Sequence, residues 1–144
     1  MTCCEEWLNF QNFAQWYRDN YYEIEGERVA LDKDILVKGN KIYSKESCIF
    51  VPQRINSLFV NTSASRGKYP IGISIVNNKY FQVLCNDVEG NCKYIGRYSS
   101  IEEAFNNYKN FKEGVIKEVA DKYKYKIPNK LYNAMYNYNI EITD

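Results

Sequence analysis

The chain has 144 residues and a mass of 17.0 kDa, which limits it to one compact domain or to two very small ones. It contains no histidine, the commonest general base at neutral pH and a frequent metal ligand, so mechanisms that require an imidazole are excluded. The formal net charge is +1 and the pI is about 7.5, whereas domains that bind DNA by bulk charge usually have a pI above about 9.

The first sixty residues predict a small lobe of helices and short strands. Large aromatic residues recur every third position from Trp7 to Trp16, which predicts a helix over residues 5–18 with an aromatic face in the core. The other expected elements are, in chain order, a strand over Val29–Leu36, a tight turn at Lys38–Asn40, a strand over Cys48–Val51 and a helix that begins at Pro52. Residues 61–68 are mostly polar and are predicted to be a linker.

Residues 69–144 predict a second lobe, a three-stranded sheet packed on a long helix. Short turns separate three strand-like runs, which favours an antiparallel meander. The runs are Ile71–Val76, Tyr80–Asn86 and Cys92–Tyr98. A capped helix from Ile101, whose apolar stripe includes Phe111 and Val115, is expected to cover one face of this sheet. A short helix begins at Pro128, and residues 140–144 are a candidate strand. The predicted fold class is therefore α+β.

The spacing of the cysteines and the length of the apolar runs indicate in which cellular compartment the protein is expected. The five cysteines, at positions 3, 4, 48, 85 and 92, form no C-x-x-C pair, which favours a reduced cytoplasmic protein over a disulfide framework. No apolar run approaches about 18 residues and no apolar leader begins the chain, so neither membrane insertion nor secretion is expected. The chain also has 14 tyrosines, more than a core needs, so some are expected to face solvent or a ligand.

Two sets of short motifs resemble one known family. The first set is Glu5-Glu6-Trp7-Leu8, Leu31-Asp32-Lys33-Asp34-Ile35, Lys38-Gly39-Asn40-Lys41 and Phe50-Val51-Pro52; the second is Gly72-Ile73, Lys79-Tyr80, Ile95-Gly96-Arg97-Tyr98 and Glu102-Glu103-Ala104. Together they resemble the phage homing-endonuclease-like proteins that join an HNH-like module to a DNA-binding domain of the ethylene-response-factor type. The resemblance implies a DNA-binding ancestry and a protein located in the cytoplasm of a host bacterial cell.

The HNH-like half lacks the catalytic base that the resemblance implies. HNH nucleases use a strand histidine toward water, and this chain has none. Asp32 and Asp34 occupy the matching stretch and, with Asn40 and Asn56, offer oxygen ligands for Mg²⁺ if the strand is regular. The alternative is a surface or turn-capping pair without a metal, with Asn40 in a left-handed turn after Gly39. We expect no enzyme activity, no metal and no cofactor.

The second half lacks the arginines that the resemblance implies on the outer face of the sheet. Carried over by position, that face consists of Ser74, Val76, Phe81, Val83, Cys85, Cys92 and Tyr94. This apolar, aromatic surface predicts base stacking or protein contact, with Phe81 and Tyr94 as the first candidates. The remaining candidate ligand-binding residues are Lys68, Lys79, Asn91, Lys93 and Arg97 around the sheet, and Arg54 and Arg66 from the first lobe and linker. Cys85 and Cys92 are expected to be reduced cross-strand neighbours.

These patterns predict a non-catalytic protein that binds nucleic acid or a small nucleotide. Residues 1–30 carry a charge of roughly −4 and residues 31–70 roughly +4, so the basic segment adds to the stacking surface. The alternative is a phage anti-defence protein that sequesters a host nucleotide immune signal or binds a host defence protein. A metal-dependent nuclease built on Asp32 and Asp34 is a third hypothesis. Because the apolar face needs a cover, a ligand or a homo-oligomer is expected on it.

Overall fold

The computed structural model describes residues 2–59 and 68–142. The elements in chain order are β1 (Thr2–Cys3), α1 (Phe10–Asn20), β2 (Val29–Asp32), β3 (Ile42–Tyr43), β4 (Ile49–Pro52), α2 (Gln53–Asn56), β5 (Ile73–Val76), β6 (Tyr80–Asn86), β7 (Cys92–Tyr98), α3 (Ile101–Lys122) and α4 (Asn129–Tyr136). Single 3₁₀ turns lie at Glu5–Leu8 and Ser57–Phe59. The predicted α+β class, with a three-stranded antiparallel sheet on a long helix and a short C-terminal helix, is confirmed.

The described residues form two compact units. The first contains residues up to 59 together with Tyr123–Met135, and the second contains residues 68–122 and 136–142. Residues 123–135, which the sequence interpretation counts with the second lobe, therefore group with the first unit. Their buried side chains explain this, since Ile127, Leu131 and Met135 are 7%, 0% and 1% exposed. The predicted linker, apart from Lys68, lies outside the described residues.

The first unit contains a cluster of aromatic side chains and two small sheets. In these sheets β1 pairs with β3 in parallel, and β2 pairs with β4 in antiparallel register. The predicted helix over 5–18 is divided, because the Asn9 side chain accepts a hydrogen bond from the Gln11 amide at 2.9 Å and caps α1 there. The Trp7 ring is buried, 4.9 Å from the Trp16 ring, whereas Phe10 is 73% exposed. The aromatic stripe is thus only partly in the core.

The second unit places α3 on one face of the sheet β5–β6–β7. Asn77 and Asn78 both have positive φ, 55° and 54°, as a tight hairpin turn between β5 and β6 requires. The Ser100 hydroxyl accepts a hydrogen bond from the Glu103 amide at 3.4 Å, so it caps α3. Val115 is buried as predicted, whereas Phe111 is only half-buried. Even α3 is too polar to cross a membrane, and no other helix in the described ranges is long and apolar enough.

The predicted strand at residues 140–144 does not form within the described part of the tail, which ends at residue 142. The main chain of Ile140 is held against α3 by side chains instead. Lys109 Nζ donates to the Ile140 carbonyl at 2.9 Å, and the Ile140 amide donates to Glu113 Oε2 at 2.9 Å. Because Lys109 and Glu113 also pair with each other at 2.5 Å, these side chains replace the backbone partner that a strand would need.

Candidate functional site

The candidate site is the face of the sheet β5–β6–β7 that points away from α3. Along β6, Val83 and Cys85 are 0% and 6% exposed, whereas Tyr80 and Leu84 are 37% and 36% exposed. Since successive side chains alternate between the two faces of a strand, the buried set faces α3 and the exposed set faces outward. We call outer face the surface formed by Ser74, Val76, Tyr80, Gln82, Leu84, Cys92, Tyr94 and Arg97.

The structure corrects the predicted composition of this face. Ser74, Val76, Cys92 and Tyr94 lie there as expected, but Phe81, Val83 and Cys85 lie on the side covered by α3. The Phe81 ring is half-buried and meets the Tyr69 ring edge-on at 5.9 Å. The reason is that side chains alternate along β6, and the more apolar alternate set is the one buried against α3. Phe81 and Tyr94 therefore cannot form one platform.

The expected cross-strand cysteine pair is also wrong. Cys85 pairs with Lys93, and Cys92 pairs with Asn86, so the two cysteines lie on opposite faces. Both are free thiols; Cys85 is buried and Cys92 is exposed. Burial raises the pKa of the Cys85 thiol, which keeps it protonated and unreactive.

A β-bulge brings Tyr94 and Arg97 to the same face. The register shifts between Val83, which pairs with Gly96, and Leu84, which pairs with Tyr94. An extra residue on β7 is accommodated there, so side chains three positions apart point the same way. In a regular strand they would point to opposite faces. Gly96 is the sequence signal for this irregularity, because a glycine inside a strand often marks a bulge.

The outer face is ordered as four rows across the strands, the last of which is Cys92 opposite Asn86. Ser74, Gln82 and Arg97 form a polar row through all three strands. Leu84 and Tyr94 form a row on one side of it, and Val76 and Tyr80 form a row on the other. Neighbouring rows are two residues apart along a strand, about 7 Å. Tyr94 is 58% exposed, and Lys79 Nζ lies 5.3 Å from the centre of the Tyr80 ring at the edge of the face.

This arrangement suits a planar ligand that carries a negative charge. An exposed tyrosine ring offers a surface on which any base can stack. The Arg97 guanidinium donates in a planar fork that matches a phosphate, and the Gln82 amide both donates and accepts. Tyr80, Gln82 and Leu84 are the members of the face that sequence reasoning missed. The alternation along Tyr80–Asn86, apolar at odd positions and more polar at even ones, is the signal that identifies them.

The other predicted ligand-binding residues are dispersed. Lys93 pairs across the strand with buried Cys85, and its ammonium lies 3.7 Å from Asp87 Oδ2. The Asn91 amide donates to Asp87 Oδ1 at 2.9 Å within the turn after β6. Of the remaining three, Lys68 Nζ lies 5.4 Å from the centre of the Tyr69 ring, Arg54 belongs to α2 of the first unit, and Arg66 lies outside the described residues.

Asp32 and Asp34 are arranged as a turn. The Asp32 carboxylate accepts hydrogen bonds from the amides of Asp34 at 2.9 Å and Ile35 at 2.8 Å, which ends β2 at Asp32. Asp34 instead pairs with Lys33 at 3.0 Å. Burial raises the pKa of the Asp32 carboxyl, although the two amide hydrogen bonds oppose this shift. The regular strand that would place both carboxylates on one face is absent from this part of the chain.

The metal-ligand geometry that a regular strand would have given Asp32 and Asp34 therefore does not form. Asn40 does not adopt the expected left-handed conformation, which Gly39 takes at φ 77°. The Asn40 amide donates instead to the carbonyls of Lys33 and Ile42, at 3.1 and 2.6 Å, and braces the loop. Among the described residues, no three acidic or cysteine side chains are grouped as metal ligands would be.

We expect no cleavage of plasmid or linear DNA in the presence of Mg²⁺, Mn²⁺ or Zn²⁺. The chain has no imidazole to act as general base, a contribution typically worth about 10²–10⁴ in rate. The measurement is gel analysis of supercoiled plasmid after prolonged incubation with each metal. Nicking that disappears in Asp34→Ala would contradict this expectation.

Comparisons of the chain with protein-family models, with curated proteins and with solved structures find no significant match. The outer face, a stacking surface on a three-stranded sheet, is thus the feature from which function is inferred.

Proposed function

We propose that the protein is a non-catalytic binder of unpaired nucleobases, in single-stranded nucleic acid or in a small nucleotide, through its outer face. The observation that carries the proposal is Tyr94, which is 58% exposed on the same face as Arg97. A base stacks on the tyrosine ring while the guanidinium contacts the adjoining phosphate.

The charges support an unpaired base over a long duplex. The outer face carries one arginine, with Lys79 at its edge, whereas tight duplex binders neutralise many phosphates. The basic segment 31–70 adds less than its composition predicts, because Lys33 pairs with Asp34 at 3.0 Å and Lys45 with Glu6 at 3.3 Å. A ligand held by stacking and one or two phosphate contacts fits this charge distribution.

Titration across salt concentrations tests the class of ligand. With two phosphates neutralised, the logarithm of affinity for single-stranded DNA should fall against log salt with a slope of about −1.4. The measurement is fluorescence anisotropy with a labelled oligonucleotide, with duplex DNA and cyclic nucleotides as competitors. Preference for duplex with a steep slope would contradict the proposal.

If the protein prefers small nucleotides to oligonucleotides, the alternative function as an anti-defence protein is favoured. Cyclic nucleotides that displace the oligonucleotide at low concentration, with little effect of salt, would favour a protein that sequesters a host nucleotide signal. The nearly neutral formal charge of +1 favours this version, since it does not draw the chain to bulk nucleic acid. Binding of a host defence protein remains the outcome to pursue if neither ligand binds.

Tyr94→Ala should weaken binding of the oligonucleotide by about 1–3 kcal/mol, because each stacked base contributes roughly that amount. Tyr125→Ala is the matched control, since Tyr125 is 93% exposed and belongs to the first unit. The anisotropy titration of each variant, with circular dichroism to verify folding, decides the matter. Equal affinities for the two variants would remove Tyr94 from the site.

A further inference from the structure

A groove in the same unit lies beside β7, the edge strand of the sheet, and Tyr94 is one of the residues that line it. The groove has a volume of about 630 Å³ and lies between the arm of residues 87–95 and residues 110–118 of α3. That volume is within the range of pockets that hold small organic ligands, about 300–1,000 Å³. The outer face uses none of the helix residues that line this groove.

The floor of the groove is apolar. Ile95 contributes from β7, and Phe111 and Val115 contribute from α3. Phe111 is half-buried although its position belongs to the stripe that packs on the sheet, so part of its ring remains available in the groove. Gly114 widens the helix wall, because a Cβ atom placed there would meet no heavy atom within 4 Å.

The rim of the groove is acidic. Asp87, Glu89 and Glu118 line it, against a single cation, Lys93. Lys93 lies 3.7 Å from Asp87, so these two charges largely offset each other. Within the described part of the chain, Glu89 and Glu118 form no ion pair, and they stand on opposite walls of the groove. The uncompensated charge of the rim is negative.

We propose that this groove binds a small organic cation in which a flat apolar group carries an ammonium or guanidinium. The apolar group lies on the floor formed by Phe111 and Val115, and the cation lies between Glu89 and Glu118. A negative rim repels phosphates, so this ligand is chemically distinct from the one proposed for the outer face. Tyr94 lines the groove as well, but the charge preference proposed here rests on Glu89 and Glu118, neither of which belongs to the outer face.

Two probes with the same ring and opposite charge test the inference. The full-length protein, labelled with ¹⁵N, is titrated with tryptamine, an indole with an ammonium, and with indole-3-acetate, an indole with a carboxylate. Tryptamine should shift the amide resonances of Ile95, Gly114 and Val115 in a saturable way. Indole-3-acetate should bind at least about tenfold more weakly, since its carboxylate faces Glu89 and Glu118.

Variants of the rim and of the helix wall make the test specific. Glu89→Gln and Glu118→Gln should each weaken tryptamine binding about threefold, as expected for exposed charge pairs. Gly114→Leu places a side chain in the groove and should abolish saturable shifts without loss of the helix, because leucine is a better helix former than glycine. Should Gly114→Leu fail to fold, Glu118→Lys, which inverts one wall, should give the same loss.

Three results would overturn the inference: no shifts with tryptamine, equal affinity for the two indoles, or shifts outside the groove. None of them depends on oligonucleotide binding. Conversely, Glu89→Gln and Glu118→Gln should leave oligonucleotide affinity within about twofold of the parent value, because neither carboxylate belongs to the outer face.

Discussion

Val83→Asp should destabilise the second unit by about 4 kcal/mol or more. Val83 is 0% exposed in the face of β6 that α3 covers, so the substitution places a carboxylate where no water reaches it. An unpaired buried charge costs several kcal/mol, a large fraction of the roughly 5–15 kcal/mol that stabilises a small domain. We expect a strongly lowered denaturant midpoint and loss of dispersed amide resonances for residues 73–98.

Leu84→Asp is the matched control, one residue away on the same strand. Leu84 is 36% exposed on the outer face, so the same carboxylate stays hydrated and the cost should be within about 1 kcal/mol. A buried aspartate has a raised pKa, so the deficit of Val83→Asp relative to Leu84→Asp should narrow as the pH falls from that raised value toward about 4, the ordinary pKa of an aspartate. The reverse order of stabilities would mean that the two faces of β6 have been assigned the wrong way round.

The comparison between these neighbours also explains how far the sequence alone could go. The three strands of the second unit and α3 were predictable to within a few residues, because the turn at Asn77-Asn78 and the Ser100 cap separate runs of clear periodicity. The two-residue strands β1 and β3 were not predicted. The choice of face was predictable too, since Phe81, Val83 and Cys85 are the more apolar alternate set. The prediction instead took the outward positions from the family that the chain resembles. It therefore placed these three apolar residues on the outer face, although their hydrophobicity favours the buried face.

Other features could not be predicted because they depend on contacts between distant residues. Gly96 signals a bulge in β7, but which residue of β6 lies opposite Arg97 depends on the pairing of the two strands, which no local pattern sets. The grouping of residues 123–135 with the first unit depends on burial against its core, including a hydrogen bond from the Tyr123 hydroxyl to Glu27. Burial and this hydrogen bond raise the pKa of Tyr123 to about 12, so the hydroxyl remains a donor at neutral pH.

The groove and the turn at Asp32 show that candidate sites, too, could not be predicted from local sequence alone. Two carboxylates at i and i+2 suggested a metal site, but the side chain of Asp32 satisfies its own backbone, which local sequence favours equally well. In contrast, the residues of the groove are spread over more than twenty positions and show no motif. Only the packing of α3 against β7 assembles them.

Gly72→Ala should cost about 2–5 kcal/mol, the other large effect that we expect. Gly72 has φ +78°, a conformation that costs an alanine roughly 1–2 kcal/mol. An added Cβ would also lie 2.4 Å from Cδ2 and Cε2 of Tyr108 and 3.0 Å from the Leu84 carbonyl oxygen. Tyr108 is 4% exposed, so its ring can move only by disturbing the contact between α3 and the sheet, which adds roughly 1–3 kcal/mol.

Gly114→Ala is the control substitution, because it should raise the free energy of unfolding where Gly72→Ala lowers it. Gly114 is inside α3, and its added Cβ would meet no heavy atom within 4 Å. Alanine is favoured over glycine inside a helix by about 0.5–1 kcal/mol, so this variant should be more stable than the parent protein. Urea denaturation of both variants gives the difference directly.

A double-mutant cycle separates the two causes of the Gly72 effect. Tyr108→Ala removes the ring that the new Cβ would strike and leaves the φ requirement unchanged. In that background Gly72→Ala should cost only about 1–2 kcal/mol, the conformational part, so the two sites should show a coupling free energy of about 1–3 kcal/mol. A cost that is the same in both backgrounds would mean that the backbone conformation alone demands glycine. The close approach of Tyr108 would then contribute nothing to that requirement.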